Sequence, residues 1–135
     1  MMMATFHLQI VTPDRLVVDT QAQQIILRTV DGDVCILPNH INYAAAIGIG
    51  EAKVTAEDGE VKTAACSGGL LSVQNGCVRV MATTYEWADE IDLSRAERAQ
   101  QKAEEKLARM SREDKDYTRM EAHLKRAITR IHVKR

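Results

Sequence analysis

The glycine and proline residues of this 135-residue chain are confined to its first part. All seven glycines and both prolines lie at or before Gly76. Glycine and proline interrupt regular secondary structure more strongly than other residues, so the first part is expected to be rich in turns and the remainder to be helical. We place the boundary between two domains at residue 88, with one domain at 1–88 and the second at 89–135.

The first part has the alternation and the turn dipeptides that are typical of short β-strands. Asp58-Gly59 lies inside AKVTAEDGEVKTAA, and Asn75-Gly76 lies inside LLSVQNGCVRVMA. Both dipeptides accept the positive φ of a type I′ turn, which matches the twist of paired strands. Strands at intervals of about ten residues that are joined by tight turns predict an antiparallel β-sandwich or flattened barrel.

Apolar residues in the second part recur at helical spacing, first as a narrow alanine-rich seam and then as a broader apolar stripe. The seam and the stripe consist of Ala96, Ala99, Ala103, Leu107 and Met110, and of Tyr117, Met120, Leu124, Ala127, Ile128 and Ile131. Ser111 and Asp114 resemble a capping box at the start of the second helix, which leaves room for only a tight turn after Met110. The pattern predicts an αα-hairpin that is marginal unless it docks, and hence an α+β fold.

Charge is divided unevenly between the two parts. Residues 1–90 carry eleven acidic and five basic side chains, whereas residues 91–135 carry eight acidic and thirteen basic ones. On an α-helix one group of cations would fall within about 60° of arc, on the side away from Leu124 and Ile128. This basic stripe consists of Arg112, Lys115, Arg119, Arg126 and Arg130. It fits either a solvated face with i,i+4 ion pairs or a site for phosphate or an acidic protein surface.

The sequence has no pattern that is typical of an enzyme or a metal protein. The histidines show no metal-ligand spacing, and Ser67 lies outside a G-x-S-x-G motif. The three cysteines form no CxxC pair and are expected to be reduced core residues. A helical hairpin that binds nucleic acid is an alternative, but the acidic first part and the absence of a recognition motif argue against it.

The chain contains five short segments whose order along the sequence resembles that in the epsilon subunit of the rotary F-type ATP synthase. These segments are IVTP, DGDVCILPNH, SGGLLSV, EIDLSRA and LKRAITRI. The resemblance covers nearly the whole chain. It implies a non-catalytic rotor subunit of the central stalk, which couples proton translocation to ATP synthesis and inhibits ATP hydrolysis through its hairpin. It also implies contacts with the gamma subunit, the c subunits of the membrane ring and the alpha and beta subunits of the catalytic head. The expected location is the cytoplasmic face of the cell membrane, without insertion.

The resemblance also assigns a nucleotide site, with ATP as a regulatory ligand and no required cofactor. The residues that match the family's positions are Glu86, Ile91, Asp92, Arg95, Ala96, Lys102, Arg126 and Arg130. ATP-binding members of the family carry an arginine at the position of Lys102, and lysine keeps the charge but lacks the planar fork of donors. From the residues alone, Asp92 can equally be the N-cap of the first helix. A structural stalk subunit that binds no nucleotide is therefore the nearer alternative.

Two protein-binding surfaces are implied as well. Asp33 and His40 are expected to lie together in the loop DGDVCILPNH, at positions that the resemblance places against the polar loops of the membrane ring. The resemblance also implies that the basic stripe binds the acidic surface of the catalytic head.

Overall fold

The computed structural model describes residues 4–135, and it contains a β-sandwich followed by a helical hairpin. The strands are β1 (Phe6–Val11), β2 (Leu16–Thr29), β3 (Gly32–Ile36), β4 (Tyr43–Ala46), β5 (Ile49–Ala56), β6 (Val61–Gln74) and β7 (Cys77–Trp87). A short 3₁₀ turn (Ala88–Glu90) leads to the helices α1 (Leu93–Ala108) and α2 (Tyr117–Lys134). The predicted fold class is therefore confirmed.

The strands close into a flattened barrel. β1, β7, β6, β5 and β2 are hydrogen-bonded in that order, and the first half of β2 pairs back onto β1. β3 and β4 extend the sheet as flanking strands of β2 and β6. The β1–β7 pair is parallel, whereas the other strand pairs are antiparallel. The sequence predicted antiparallel pairing alone, because tight turns report only on strands that follow one another in the chain.

The core of the sandwich is built by alternation along the strands. In β1, for example, Phe6, Leu8 and Ile10 point inward and are at most 5% exposed, while the residues between them face outward. Burying each such side chain stabilises the fold by about 1.5–3 kcal/mol. Cys66 belongs to this core, but Cys35 is exposed, so the prediction of three core cysteines is wrong. Cys35 lies on the outward face of β3, between Val34, which is partly buried, and Ile36, which is buried.

The two turn dipeptides behave differently. Asn75 and Gly76 have φ angles of 51° and 79°, and they join β6 to β7 as the type I′ prediction requires. Gly59 also has a positive φ of 91°, but Asp58 does not. Instead, the Asp58 carboxylate accepts a hydrogen bond from the Glu60 backbone N–H at 2.9 Å, so this hairpin closes through a longer loop and the type I′ prediction is wrong there.

The connection between the two helices is longer than predicted. α1 ends at Ala108 and α2 begins at Tyr117, which leaves eight residues between them. In this segment the Ser111 hydroxyl accepts the Glu113 N–H at 3.2 Å, and the Ser111 carbonyl accepts the Asp114 N–H at 2.9 Å. Serine and aspartate offer the backbone such local partners outside helices. The predicted capping box and tight turn are therefore wrong.

The hairpin docks on the sandwich through a small apolar contact. Ala65 of β6, Ile91 of the linker and Val133 of α2 form a separate buried cluster. Ile128, which was predicted to lie in the apolar stripe, is 46% exposed. The stripe differs from prediction because α2 contacts β5 and β6 as well as α1. Within residues 4–135, neither helix is long and apolar enough to cross a membrane.

Candidate functional site

A cavity of about 570 Å³ lies where the sandwich, the linker and the two helices meet. We call it the junction cavity. It is lined by five of the eight residues that were assigned to a nucleotide site, namely Glu86, Asp92, Arg95, Ala96 and Arg130. These residues come from β7, the linker, α1 and α2. A ligand in this cavity would therefore touch both domains.

Asp92 fixes the start of α1 at the edge of the junction cavity. Its Oδ1 accepts a hydrogen bond from the backbone N–H of Arg95 at 3.1 Å, which makes Asp92 the N-cap. The N-cap interpretation is therefore confirmed. Ala96 is 3% exposed, and its small side chain allows close packing of α1, while Arg95 is exposed and reaches the cavity. One short motif thus starts the helix and supplies a cation to the site.

An ion pair joins α2 to the sandwich at the wall of the junction cavity. Arg130 Nε donates to Glu86 Oε1 at 3.0 Å, and the two side chains are 34% and 36% exposed. Because the pair is partly open to solvent, we expect it to contribute on the order of 1 kcal/mol. Nearby, Lys134 Nζ donates to the Ala88 carbonyl oxygen at 3.2 Å. These polar contacts add to the small apolar contact that docks the hairpin.

A second contact holds the linker against the loop between β1 and β2. Arg15 Nη2 donates to both carboxylate oxygens of Glu90 at 3.1 Å, and Glu90 Oε1 also accepts the Trp87 backbone N–H at 3.0 Å. The Trp87 hydrogen bond, together with Arg15, lowers the pKa of Glu90. The stabilisation is therefore present at neutral pH and is lost as the pH falls through the lowered pKa of Glu90.

Arg15 and Glu90 both line the junction cavity, and no sequence pattern marks either of them as a site residue. They are separated by 75 positions in the chain. No local motif connects residues so far apart, because their contact is produced by the folding of the whole sandwich. The cavity thus presents the guanidinium groups of Arg15, Arg95 and Arg130. Two of these cations are already engaged by carboxylates, so an anionic ligand would have to compete for them.

The remaining assigned residues lie outside the junction cavity. Ile91 is 4% exposed and packs in the small docking cluster. Lys102 is exposed and lies on α1 two turns beyond Arg95, about 10 Å further along the helix. Arg126 lines an adjacent cleft together with Glu86 and Arg130. Lys102 and Arg126 therefore flank the cavity, whereas Ile91 supports it.

Arg126 also has a partner on its own helix. Arg126 Nη2 donates to His123 Nδ1 at 3.2 Å, which requires that nitrogen to be unprotonated. Desolvation, followed by the nearby charges of Arg126 and Arg119, lowers the pKa of His123. The lowered pKa favours the neutral imidazole, which is the form that can accept this hydrogen bond.

The basic stripe does not form one helical face in this structure. Arg112 and Lys115 lie in the segment that precedes α2. Arg126 and Arg130 are half-buried beside the sandwich, and Arg119 is exposed. The prediction that all five lie on one face, away from the apolar residues, is wrong because α2 begins later than expected and docks at its carboxyl-terminal end.

Asp33 and His40 lie in different structural environments. Asp33 belongs to β3 and accepts a hydrogen bond from Arg28 Nε at 2.5 Å, so it does not lie in the loop with His40 as predicted. His40 follows β3, and its Nδ1 donates to the Ile41 carbonyl oxygen at 2.8 Å. Its ring meets Tyr43 edge to face with a centroid separation of 5.8 Å. The loop around His40 also exposes Ile41, which is 77% accessible.

Comparison with known proteins gives a consistent result for both parts of the chain. Residues 5–88 match the family model "ATP synthase, Delta/Epsilon chain, beta-sandwich domain", and residues 89–135 match "ATP synthase, Delta/Epsilon chain, long alpha-helix domain". The chain is 37% identical to the ATP synthase epsilon chain of Caldicellulosiruptor bescii, over 96% of this chain and 93% of the relative. It is 41% identical to that of Ruminococcus albus, over 97% of each.

Solved structures show the same fold. A chain in the Euglena gracilis mitochondrial ATP synthase superposes with a TM-score of 0.79 at 22% identity, covering 93% of this chain and 78% of the other. A chain from the central stalk and c-ring of the Tetrahymena thermophila mitochondrial ATP synthase gives a TM-score of 0.59 at 12% identity, covering 99% and 96%. The two family models together span nearly the whole sequence. The chain therefore belongs to the delta/epsilon chain family of ATP synthases, as its five ordered segments predicted.

Proposed function

We propose that the protein is a non-catalytic rotor subunit in the central stalk of an F-type ATP synthase, and that its hairpin inhibits ATP hydrolysis in a nucleotide-dependent way. The partners would be the gamma subunit, the c subunits of the membrane ring and the alpha and beta subunits of the head. The complex would hold the protein at the cytoplasmic face of the cell membrane. Family membership and the composition of the junction cavity support this proposal.

The observation that carries the nucleotide part of the proposal is the convergence of four elements on one cavity. Glu86 belongs to the sandwich and Arg130 to the hairpin, and Arg95 of α1 lines the same cavity. ATP bound there would contact the docked hairpin and would lose those contacts when the hairpin moves away. A ligand that binds one state only stabilises that state by mass action. ATP would thus favour the docked hairpin.

Docking of the hairpin and binding to the catalytic head would exclude each other. Arg126 and Arg130 are half-buried against the sandwich in the docked state, and the same side chains belong to the basic stripe that is assigned to the head. They cannot face both surfaces at once. A differential affinity of about 1.4 kcal/mol shifts the population of the two states about tenfold, so a moderate affinity for ATP is sufficient for control.

The nucleotide proposal is tested by titrating the purified protein with ATP in a calorimeter at fixed salt concentration. We expect Arg95→Ala to weaken binding about tenfold or more, because a charge-assisted hydrogen bond contributes about 1.5–3 kcal/mol. Lys102→Arg is expected to strengthen binding by restoring the donor fork. Arg119→Ala is the matched control, since Arg119 is an exposed cation of the same hairpin outside the cavity.

The outcome separates the proposal from its alternatives. If none of these proteins binds ATP at millimolar concentration, the cavity is a structural junction and the subunit is a stalk component without nucleotide control. If Arg95→Ala and Arg119→Ala weaken ATP binding equally, the protein attracts the anion nonspecifically. Salt-dependent retention on DNA would then favour the nucleic-acid alternative.

We expect Asp33 and His40 to serve the proposed contact with the membrane ring, and not the stability of the sandwich. The Arg28–Asp33 pair is about half exposed on both sides, so the double change Asp33→Ala and His40→Ala should cost less than about 1 kcal/mol in urea unfolding. ATP-driven proton pumping by the reassembled synthase should fall. Asp58→Ala, at the β5–β6 turn, is the control and should leave pumping unchanged. Unfolding of the isolated double variant would show that these residues are structural.

A further inference from the structure

Three side chains form a connected row on the outer surface of the sandwich, away from the junction cavity. His7 Nε2 is hydrogen-bonded to Asp19 Oδ1, and His7 Nδ1 lies 3.5 Å from Cys77 Sγ. The histidine is thus placed between a carboxylate and a thiol. We call this set the thiol triad.

Strand pairing holds the thiol triad in place. His7 and Cys77 are direct partners in the parallel β1–β7 pair. On the other side of β1, His7 is opposite Gln21 of β2, and Asp19 projects from the same face of β2 two residues earlier. Diagonal neighbours of this kind are within reach of long side chains. The arrangement is therefore set by the backbone register of three strands.

The hydrogen bonds define how protons are arranged in the thiol triad. An ionised carboxylate can only accept hydrogen bonds, so Nε2 of His7 carries a proton and donates it to Asp19. The other ring nitrogen, Nδ1, then presents its lone pair to Cys77 Sγ. A base that faces a thiol and is itself oriented by a third group is the arrangement that activates nucleophiles in proteins.

Reagents in solution can reach the thiol triad. The side chains of His7 and Asp19 are 43% and 46% exposed, and Cys77 is half-buried. Arg79 lies on this face as well, since it follows Cys77 by two positions, and its Nε donates to Gln9 Oε1 at 3.0 Å. The partner of Cys77 on β6 is the neutral Gln74. The local environment thus includes one carboxylate and one fixed cation beside the histidine.

We propose that Cys77 is a reactive thiol that undergoes exchange with low-molecular-weight disulfides, with His7 as its base and Asp19 as a positioning residue. Sγ gives its proton to His7 Nδ1 and attacks one sulfur of the disulfide. The S–S bond of the reagent breaks, and the leaving thiolate takes the proton back from His7. One thiol and one disulfide thus yield a mixed disulfide and one thiol, with no net change in oxidation state.

The chain contains two cysteines for comparison. Cys66 is buried in the sandwich, and desolvation raises the pKa of its thiol to about 12, so it should be inert in the folded protein. Cys35 is exposed, and no hydrogen bond to its sulfur occurs within residues 4–135. Exposure alone would make Cys35 the fastest of the three to react. Activation by His7 predicts that the half-buried Cys77 reacts faster instead.

The test uses the full chain with oxidised glutathione at pH 7, and it follows the mixed disulfide at each cysteine by peptide mass spectrometry. We expect Cys77 to react about tenfold or more faster than Cys35, which is a modest effect for a positioned base. Cys66 should remain unmodified. His7→Gln should bring the Cys77 rate down to that of Cys35 or below, and should leave the Cys35 rate unchanged.

A second variant and a second pH separate activation from simple exposure. Asp19→Asn should give an intermediate rate, since it keeps the side-chain shape but holds the histidine less firmly. In both variants the Cys77 rate at pH 7 should be a smaller fraction of the rate at pH 9 than in the unchanged protein. Thermal unfolding checks that each variant is folded. The proposal is overturned if Cys77 reacts no faster than Cys35, or if folded His7→Gln retains the rate and pH dependence of the unchanged protein.

Discussion

Replacing Gly69 by alanine is expected to unfold the β-sandwich under conditions where the unchanged protein is folded. Gly69 has a φ of +105°, and a Cβ atom there would lie 1.9 Å from the carbonyl oxygen of Met81 and 3.0 Å from the Cα of Ala82. Both are backbone atoms of β7, which pairs with β6 at this position. Relief of the overlap requires separation of the two strands. We expect the free energy of unfolding, measured with urea, to fall by about 4 kcal/mol or more.

Gly59→Ala is the matched control for this substitution. Gly59 also has a positive φ, of +91°, but no atom lies within 4 Å of the position that a Cβ would take. Its replacement should cost only the backbone strain, about 1–2 kcal/mol. If the two variants lose a similar free energy of unfolding, the close approach of β6 and β7 at Gly69 does not account for the effect of the alanine.

Changing Arg130 to glutamate is expected to weaken the docking of α2 on the sandwich and to leave the sandwich folded. The substitution replaces the pair at 3.0 Å with two neighbouring carboxylates, because Glu86 remains. The remaining contact includes the small cluster around Ala65 and Val133 and the hydrogen bond from Lys134 to Ala88, and neither relieves this repulsion. We expect amide hydrogen exchange in α2 to accelerate about tenfold, equivalent to about 1.4 kcal/mol, and exchange in the core strands to stay unchanged.

The charge-swapped protein, with Glu86→Arg and Arg130→Glu, provides the control. It restores an ion pair at the same place with opposite polarity, so exchange in α2 should return toward the rate of the unchanged protein. Arg119→Glu places the same charge on an exposed position of α2 and should have little effect on docking. If the swap fails to slow exchange, the acceleration reflects the stability of the helix itself and not its contact with Glu86.

Features that depend on a few neighbouring residues could be predicted from the sequence. Asn75-Gly76 predicted its turn because both residues accept a positive φ without help from the rest of the fold. Asp92 predicted the start of α1 because capping is a contact across three positions. The type I′ prediction for Asp58-Gly59 was wrong, because the Asp58 carboxylate stabilises a competing local turn. The predicted start of α2 was too early, because the Ser111 carbonyl oxygen accepts the Asp114 N–H in a turn that lies outside the helix.

The candidate site could be predicted only in part, for a related reason. The motif around Asp92 and Arg95 is local, and the family resemblance supplied Glu86 and Arg130, which the structure brings into the same cavity. Nothing in the sequence indicated that Arg15 would join them. Its position follows from the closure of the barrel, and strand register over such separations is not encoded in any single segment.

The parallel pairing of β1 with β7 has a consequence for the order of events during synthesis. β1 leaves the ribosome before the other strands, but it pairs with β7, in which Cys77 is 70 positions further along the chain than its partner His7. Until β7 emerges, one edge of β1 and the row of Phe6, Leu8 and Ile10 lack their final partners. Contacts at such separations form slowly, and exposed strand edges invite association with other chains. We therefore expect the nascent chain to associate with other chains more readily before β7 emerges than after, and a delay in translation between residues 11 and 77 would prolong that interval.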